Sequence, residues 1–196
     1  MPTPCERVAV VILNFNKRQD VLACLESVLR STVRPAAIVA VDNGSTDGSA
    51  DAIAKAFPSV RLIRNPVNLG ACVGRNIGWR YVVEQLDVDA ILFLDNDSMV
   101  EANCLARLWE ALRDDPQAGI ACGKGYSRFP STTIMSAGMT VNLSTAKVCD
   151  RGAGLVDDGR FDQAGYVDAC GGFAFLLRMD VMAQLRGFDE RFSPLR

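Results

Sequence analysis

Short apolar runs alternate with helical patterns along the amino-terminal part of the chain. Short runs at residues 8–13, 38–41, 60–63 and 91–94 predict strands, and the first has apolar residues on both faces, as in a central strand covered on both sides. Apolar residues recur at helical spacing in the segments 18–30, 49–57, 73–84 and 105–112. This order predicts successive βα units with right-handed connections. The expected fold class is α/β, with a mainly parallel, Rossmann-like sheet flanked by helices.

The pattern changes after residue 118. Residues 120–123 predict a fifth strand, whereas residues 124–165 are glycine-rich, polar and weakly periodic, which is typical of hairpins and loops. A strand interrupted by Gly171 and Gly172 is predicted at 167–177, followed by a short helix near 180–185 and a turn at 187–192. We expect a single domain with a nucleotide-binding half, residues 1–123, and a mixed acceptor-side half, residues 124–196.

Composition narrows the class of protein mainly by exclusion. With 196 residues, 49% hydrophobic and 22% charged, the chain has enough apolar side chains for one core. The formal net charge of −2, without a run of lysine or arginine, argues against nucleic acid or an anionic membrane as partner. The longest early apolar run is too short for a signal peptide or a membrane span. We therefore expect a cytoplasmic protein that is not membrane-inserted.

Cysteine and histidine usage restricts the available chemistry. The cysteines form no C-x-x-C pair and are expected to be reduced and mostly buried; they are Cys5, Cys24, Cys72, Cys104, Cys122, Cys149 and Cys170. The chain contains no histidine, which removes Ser-His-Asp and Cys-His mechanisms and every histidine-based metal centre. Any catalysis must then come from carboxylates, a metal ion and backbone dipoles.

Polar residues follow several predicted strands at their carboxyl ends, where α/β sheets bind ligands: Asn14, Asp42 and Asp95. Asp97 lies two residues after Asp95, and strand alternation would place the two carboxylates on one side. Such a pair suits Mg²⁺ or Mn²⁺ bound to a diphosphate. Two alternatives remain open: an ordinary strand-to-helix turn, and the nucleophilic Asp-x-Asp of phosphatases, which normally lies on the first strand.

Two further features have both a functional and a structural interpretation. Asp42 is placed to bind a ribose hydroxyl or a base N–H, or else to form an Asx turn in a polar loop. Gly70, Gly74 and Gly78 are spaced four apart, unlike the G-x-G-x-x-G dinucleotide motif. They would let the backbone approach a ligand, with Arg75 pairing with phosphate, or else allow close packing of a helix on the sheet.

Five segments, in order along nearly the whole chain, resemble the family 2 glycosyltransferases, which are inverting enzymes with the A-type nucleotide-sugar-binding fold. The segments are residues 11–16, 41–49, 65–70 with Gly74, Asn76 and Gly78, 93–97, and 187–192. The residues in these segments are most similar to those of the branch that transfers rhamnose and galactofuranose.

The resemblance implies a role for each matching residue. Asp42 would contact the nucleoside, Asp95 the ribose or the metal, and Asp97 the metal, Mn²⁺ or Mg²⁺, on the diphosphate. Four other residues would surround the nucleotide: Asn14, Asn68, Gly70 and Arg75. Gly171 and Gly172 would lie beside the acceptor and the sugar.

The chemistry implied by the resemblance is a single displacement with inversion. An acceptor hydroxyl, deprotonated by a carboxylate, attacks the anomeric carbon while the metal stabilises the departing nucleoside diphosphate. The expected partners are a nucleoside-diphosphate sugar and a glycan or lipid-linked acceptor of polysaccharide biosynthesis. A lipid-linked acceptor would place the protein at the inner face of the membrane.

The carboxyl terminus departs from the family pattern. In this branch a Glu-Asp pair, which resembles the site of the general base, follows soon after the turn at 187–192, whereas this chain ends at residues 193–196. Only Asp189 and Glu190, which match the turn itself, are available as substitutes for the base. We therefore expect an incomplete acceptor half, with a non-catalytic nucleotide-binding or assembly module as the alternative. An exposed sheet edge at this terminus would favour a homodimer.

Overall fold

The computed structural model describes residues 3–127 and 131–192, with side chains from Arg7 onward. Its first part alternates strands and helices, as the sequence predicts. The elements are β1 (Thr3–Asn14), α1 (Arg18–Leu29), β2 (Val33–Asp42), α2 (Ser49–Ala56), β3 (Arg61–Arg64), α3 (Ala71–Gln85), β4 (Ala90–Asp95) and α4 (Cys104–Asp114).

The second part contains shorter strands and one short helix. Its elements are β5 (Ile120–Ala121), β6 (Gly125–Tyr126), β7 (Ile134–Ser136), β8 (Met139–Asn142), β9 (Lys147–Asp150), β10 (Ala174–Arg178), α5 (Met179–Leu185) and a 3₁₀ turn, Glu190–Phe192. β6 pairs with β7 and β8 pairs with β9, both antiparallel, so the glycine-rich region does form the expected hairpins.

A six-stranded sheet in the order β3-β2-β1-β4-β10-β5 organises the fold. β1 runs parallel to β2 and β4, and β2 runs parallel to β3, whereas β10 is antiparallel to β4 and β5. The predicted α/β class, with a mainly parallel sheet and a mixed carboxyl-terminal part, is confirmed. The register pairs Asn14 with Asp42 and Leu13 with Asp95. Three predicted site residues therefore stand at one edge of the sheet.

Side chains of β1 alternate between two apolar clusters, one on each face of the sheet. Val8, Val10 and Ile12 pack with α1 and α4, whereas Ala9 and Val11 pack on the α3 side. All five are at most 1% exposed. Full burial of each larger side chain contributes about 1.5–3 kcal/mol, so β1 is the centre of the core.

The glycines of α3 let this helix lie directly on β1. A Cβ atom on Gly74 would come within 2.4 Å of a Leu13 methyl, and one on Gly78 within 2.4 Å of a Val11 methyl. Close helix–sheet packing, one of the two interpretations of the glycine spacing, is therefore what the structure shows for Gly74 and Gly78.

Three expectations need correction. The strand predicted across Gly171 and Gly172 begins only at Ala174, in keeping with the weakening effect of glycine within a strand. β1 and β2 begin earlier than predicted, and β2 includes Pro35, which is tolerated opposite a register shift between Cys5 and Ala9.

Two predictions about the ends of the chain concern residues that the structure does not describe. The carboxyl-terminal edge at 193–196, which would favour a homodimer, lies outside the described residues, as does the Cys5 side chain. Within the described chain, no helix combines the length and the apolar character that a bilayer crossing requires.

Candidate functional site

Asn14, at the end of β1, connects three loops at the carboxyl edge of the sheet. Its side chain is fully buried, and its Nδ2 donates hydrogen bonds to Asp42 Oδ1 (2.9 Å) and Ser45 Oγ (3.2 Å). Its Oδ1 accepts a hydrogen bond from Asn96 Nδ2 (2.9 Å). Because both ends of the amide are used, Asn14 holds the β2 and β4 loops in place from beneath the surface.

Asp42 is also buried, with 3% of its surface exposed. Its Oδ1 accepts the hydrogen bond from Asn14, and its Oδ2 accepts one from the Ser45 backbone N–H (3.1 Å). This is the turn-forming role that the sequence left as the alternative. The structure therefore places Asp42 at the predicted edge, with its carboxylate directed into the loop network.

The network has a third buried member, Asn43, which the sequence interpretation did not single out. Its Nδ2 donates to Asn68 Oδ1 (2.8 Å) and to the Gly70 carbonyl (3.2 Å), and its Oδ1 accepts from the Leu69 N–H (3.2 Å). Gly70 adopts φ +83° immediately before α3, a conformation that favours glycine. Asn43 thus ties the β2 loop to the Asn68–Gly70 loop. The only sequence signal was its position within the 41–49 motif.

Asp95 ends β4 and forms an ion pair with Arg75 of α3. Arg75 Nη2 lies 2.6 Å from Asp95 Oδ1 and 3.0 Å from the Gly172 carbonyl oxygen. Its guanidinium also lies over the rings of Phe175 (6.0 Å) and Phe188 (5.8 Å). The side chains of Arg75 and Asp95 are 16% and 38% exposed. Arg75, predicted to pair with phosphate, here binds one carboxylate oxygen of Asp95, Oδ1.

Electrostatics at Asp95 reflects three opposing influences. Burial raises the pKa of the Asp95 carboxyl above its ordinary value, the Arg75 guanidinium lowers it, and the nearby Asp97 charge raises it further. A cation close to Asp95 would favour the ionised form of its carboxyl group.

Asp97 is exposed and lies in the turn after β4. Because the strand ends at Asp95, the alternation argument that put both carboxylates on one side does not apply; the turn brings their charges close instead. Among residues 3–127 and 131–192, no group of three or more carboxylate or thiol side chains gathers around a point. The two aspartates suit a hard cation, which would need further oxygen ligands from a diphosphate and water.

The Gly171–Gly172 segment lies against the carboxyl end of β4. The Phe173 carbonyl accepts hydrogen bonds from the Asp95 backbone N–H (2.9 Å) and from Ser98 Oγ (3.1 Å). Gly172 is exposed beside Arg75, and its carbonyl accepts the bond from that guanidinium. The acceptor-side segment is therefore adjacent to the Arg75–Asp95 pair.

The two substitute base residues are engaged in other contacts. Asp189 forms a two-pronged ion pair with Arg191, which lowers its pKa to about 2. Glu190 Oε1 accepts hydrogen bonds from Asn76 Nδ2 (2.9 Å) and Arg80 Nη2 (2.6 Å), and both lower its pKa. A general base needs a pKa near the working pH and a free oxygen. Both carboxyl groups have lowered pKa values instead, which makes them weak bases.

Comparison with known proteins agrees with this architecture. The fold is the A-type fold of glycosyltransferases. Residues 9–183 match the family described as Glycosyl transferase family 2, and the chain belongs to that family. This membership favours glycosyl transfer over the phosphatase alternative.

Curated relatives match part of their own length. Glycosyltransferase GlyG of Streptococcus pneumoniae is 26% identical over 125 residues, 62% of this chain and 40% of the relative. The uncharacterized glycosyltransferase YibD of Escherichia coli is 31% identical over 119 residues, 59% and 33%. A Mycobacterium tuberculosis N-acetylglucosaminyl-diphospho-decaprenol L-rhamnosyltransferase is 36% identical over 61 residues, 31% and 20%. The match thus spans two fifths or less of these relatives.

Solved structures match almost the whole chain. The mannosyltransferase PcManGT from Pyrobaculum calidifontis, in complex with GDP-Man and Mn²⁺, superposes with a TM-score of 0.62 at 17% identity, covering 97% of this chain and 50% of that one. Residues 1–349 of S. aureus TarS give 0.58 at 15% identity, covering 96% and 52%. At these identities the likeness concerns the fold.

Proposed function

We propose that this chain supplies the nucleotide-sugar site of a metal-dependent, inverting glycosyltransferase. The observation that carries the proposal is the Asp95–Asp97 pair at the carboxyl edge of the sheet, with Asp95 oriented by Arg75 and Asp97 exposed. The structural neighbour that holds GDP-Man and Mn²⁺ supports a nucleotide-sugar and a divalent cation as ligands. Residues 1–123 would bind the donor, and residues 124–196 would face the acceptor.

In this proposal the chain's own residues divide the work of holding the donor. Asp95 and Asp97 would hold Mn²⁺ or Mg²⁺, which would neutralise the charge of the leaving diphosphate. Arg75 fixes the rotamer of Asp95. Asn14 and Asp42 keep the β1, β2 and β4 loops in register, and the Asn68–Gly70 loop lines the nucleotide side.

The acceptor side is proposed in less detail. The Gly171–Gly172 segment would border the sugar and an acceptor hydroxyl of a glycan or lipid-linked glycan, as in polysaccharide biosynthesis on the cytoplasmic face of a membrane.

A second candidate function is nucleotide binding without transfer. The observation that favours it is the engagement of Asp189 and Glu190 in ion pairs and hydrogen bonds.

Calorimetric titration with UDP, GDP and dTDP, each with and without Mn²⁺, tests the donor site. We expect at least one to bind in the low-millimolar range or tighter, with Mn²⁺ required. Asp97→Asn should weaken Mn²⁺-dependent binding by at least about tenfold, because it removes one of two anionic oxygen ligands. Glu84→Gln, an exposed carboxylate late in α3, is the matched control and should bind like the parent.

Failure of every nucleoside diphosphate to bind, or equal affinity in the parent and Asp97→Asn, would overturn the donor site. Donor hydrolysis or transfer above a metal-free blank separates the two candidate functions. Turnover by this chain excludes the non-catalytic module. Binding without turnover favours it.

A further inference from the structure

Two aromatic rings from the acceptor-side half lie against the side chain of Arg75. Its guanidinium carbon, Cζ, is 5.8 Å from the centroid of the Phe188 ring and 6.0 Å from that of the Phe175 ring. The two rings meet edge to face, with centroids 6.2 Å apart and planes at 73°. Because the three separations are nearly equal, the guanidinium lies against both rings at once. Such distances allow cation–π attraction.

The polar contacts of Arg75 are unevenly distributed over its guanidinium. Nη2 binds both Asp95 Oδ1 (2.6 Å) and the Gly172 carbonyl oxygen (3.0 Å). Nε is buried, and it has no hydrogen-bond partner among the described residues. A buried cationic group without a full set of hydrogen bonds is costly, and attraction to aromatic faces offsets part of that cost. The two rings therefore replace part of the solvent around this arginine.

Phe188 is the ring of this pair whose position depends on a turn rather than on the sheet. Phe175 belongs to β10 and is 6% exposed. Phe188 follows α5, and Asn76 of α3 is hydrogen-bonded to both its carbonyl oxygen (2.8 Å) and its N–H (2.8 Å). The Phe188 ring also meets Phe93 of β4 edge to face, with centroids 5.2 Å apart. Consecutive residues of α3 thus fix Phe188 and lie beneath it.

We propose that Phe188 is a positioning residue for the donor site, which holds the Arg75 guanidinium in the rotamer that binds Asp95. Without this ring, water would reach Arg75 and other rotamers would become populated. A smaller fraction of molecules would then hold Asp95 in place, and the apparent affinity for a metal-bound nucleotide would fall by that fraction. Through Phe188, the acceptor-side half would influence donor binding. This effect on binding rests on the proposed function, whereas the contact between Phe188 and Arg75 does not.

Nuclear magnetic resonance of the parent chain tests the contact without any substitution in the protein under test. We expect nuclear Overhauser effects between the Phe188 ring protons and the Arg75 side chain. The Arg75 Nε–H should exchange slowly with water, because this atom is buried. Arg75→Lys, which lacks this group, assigns its signal. An Nε–H that exchanges as fast as that of the exposed Arg107, or the absence of Overhauser effects to the Phe188 ring, would overturn the proposal.

Three variants test the consequence for the donor site, by calorimetric titration with Mn²⁺ and whichever of UDP, GDP and dTDP the parent binds. Phe188→Leu keeps an apolar side chain but removes the aromatic face, and it should weaken binding by about three- to tenfold. Phe188→Tyr keeps the ring and should stay within about twofold of the parent. Phe192→Leu changes a ring of the following 3₁₀ turn that is 63% exposed, and this matched control should bind like the parent.

Affinities are compared at a temperature at which circular dichroism shows every variant folded, so that a loss of stability alone does not change them. Equal affinity in the parent and Phe188→Leu, or an equal loss in Phe188→Leu and Phe188→Tyr, would overturn the positioning role. If no nucleoside diphosphate binds the parent, the donor site is wrong, and the magnetic resonance measurement still decides whether Phe188 holds Arg75.

Discussion

The turn at residues 187–190 is held on α3 by one buried asparagine, and its removal gives a sharp test of the structure. Asn76 is 1% exposed, and its Nδ2 donates hydrogen bonds to the Phe188 carbonyl (2.8 Å) and Glu190 Oε1 (2.9 Å). Its Oδ1 accepts one from the Phe188 N–H (2.8 Å). Asn76→Ala would remove all three while leaving the Phe188 ring against Phe93 and Phe175.

The expected cost follows from these contacts. A neutral hydrogen bond contributes roughly 1 kcal/mol and one to a carboxylate somewhat more, so the three together contribute about 3–4 kcal/mol. Alanine regains up to about 0.7 kcal/mol of helix propensity at this mid-helix position. We therefore expect Asn76→Ala to lower the free energy of unfolding by about 2–3 kcal/mol.

Urea unfolding followed by circular dichroism measures this loss, which should lower the midpoint by roughly 1 M. Asn103→Ala is the matched control, because Asn103 is exposed and its side chain makes no capping hydrogen bond at the start of α4. It should change the free energy of unfolding by less than about 0.5 kcal/mol. Hydrogen exchange at the Phe188 amide should accelerate only in the Asn76 variant.

A second substitution at the same position separates the hydrogen bonds from side-chain volume. Asn76→Asp keeps an acceptor for the Phe188 N–H but places an anionic oxygen next to the Phe188 carbonyl and the Glu190 carboxylate. It should be at least as destabilising as Asn76→Ala. If Asn76→Asp is as stable as the parent, the hydrogen bonds of Asn76 do not hold this turn. The same follows if Asn76→Ala lowers the free energy of unfolding no more than Asn103→Ala does.

Three further predictions concern other turns and contacts of the fold. Gly44→Ala should cost about 1–3 kcal/mol more than Gly154→Ala, because both glycines have φ +78° but only Gly44 would press a Cβ against neighbouring backbone. Lys124 lowers the Asp157 pKa to about 2; the stability that Asp157→Asn removes is therefore present above about pH 4 and lost towards pH 2. Arg178→Met should lower the free energy of unfolding by about 2–3 kcal/mol, because three carbonyls at the end of α4 lose their donor.

Urea unfolding measures each of these effects, for Asp157 at several pH values. The steric argument fails if the two glycine variants are equally stable. The Asp157 argument fails if the difference between parent and variant stays constant down to pH 2. Arg113→Met, an exposed arginine in the last turn of α4, is the control for Arg178→Met and should be close to neutral.

The order of strands and helices was readable from the sequence because hydrophobic periodicity is a local property. Predicted helices and the β3, β4 and β5 strands agree with the structure to within about two residues. The strand predicted across Gly171 was wrong, since the glycine pair that interrupts it weakens strand formation. The sequence did not predict that β2 extends through Pro35, because pairing with β1 overrides the local strand-breaking effect of proline.

The positions of the site residues in the fold could be predicted from the sequence, but their individual contacts could not. Asn14, Asp42 and Asp95 stand together at the carboxyl edge, as expected from strand ends. Their contacts depend on rotamers and neighbours from distant segments, which no local pattern encodes. Arg75 is an example, because its partners are Asp95 and Gly172, 20 and 97 residues away. For the same reason the sequence could not show that Glu190 is held by Arg80.

The glycine spacing of α3 affects both the packing of this helix and the positions of Arg75 and Asn76. Gly74 and Gly78 leave room for the methyl groups of Leu13 and Val11 on β1, so α3 packs directly on this strand. The next two residues after Gly74 then reach different targets: Arg75 reaches Asp95 at the end of β4, and Asn76 reaches the turn at Phe188. The close packing of α3 and the positions of Arg75 and Asn76 are thus coupled. A methyl group added at Gly74 would shift α3 outward and lengthen both contacts without touching either partner.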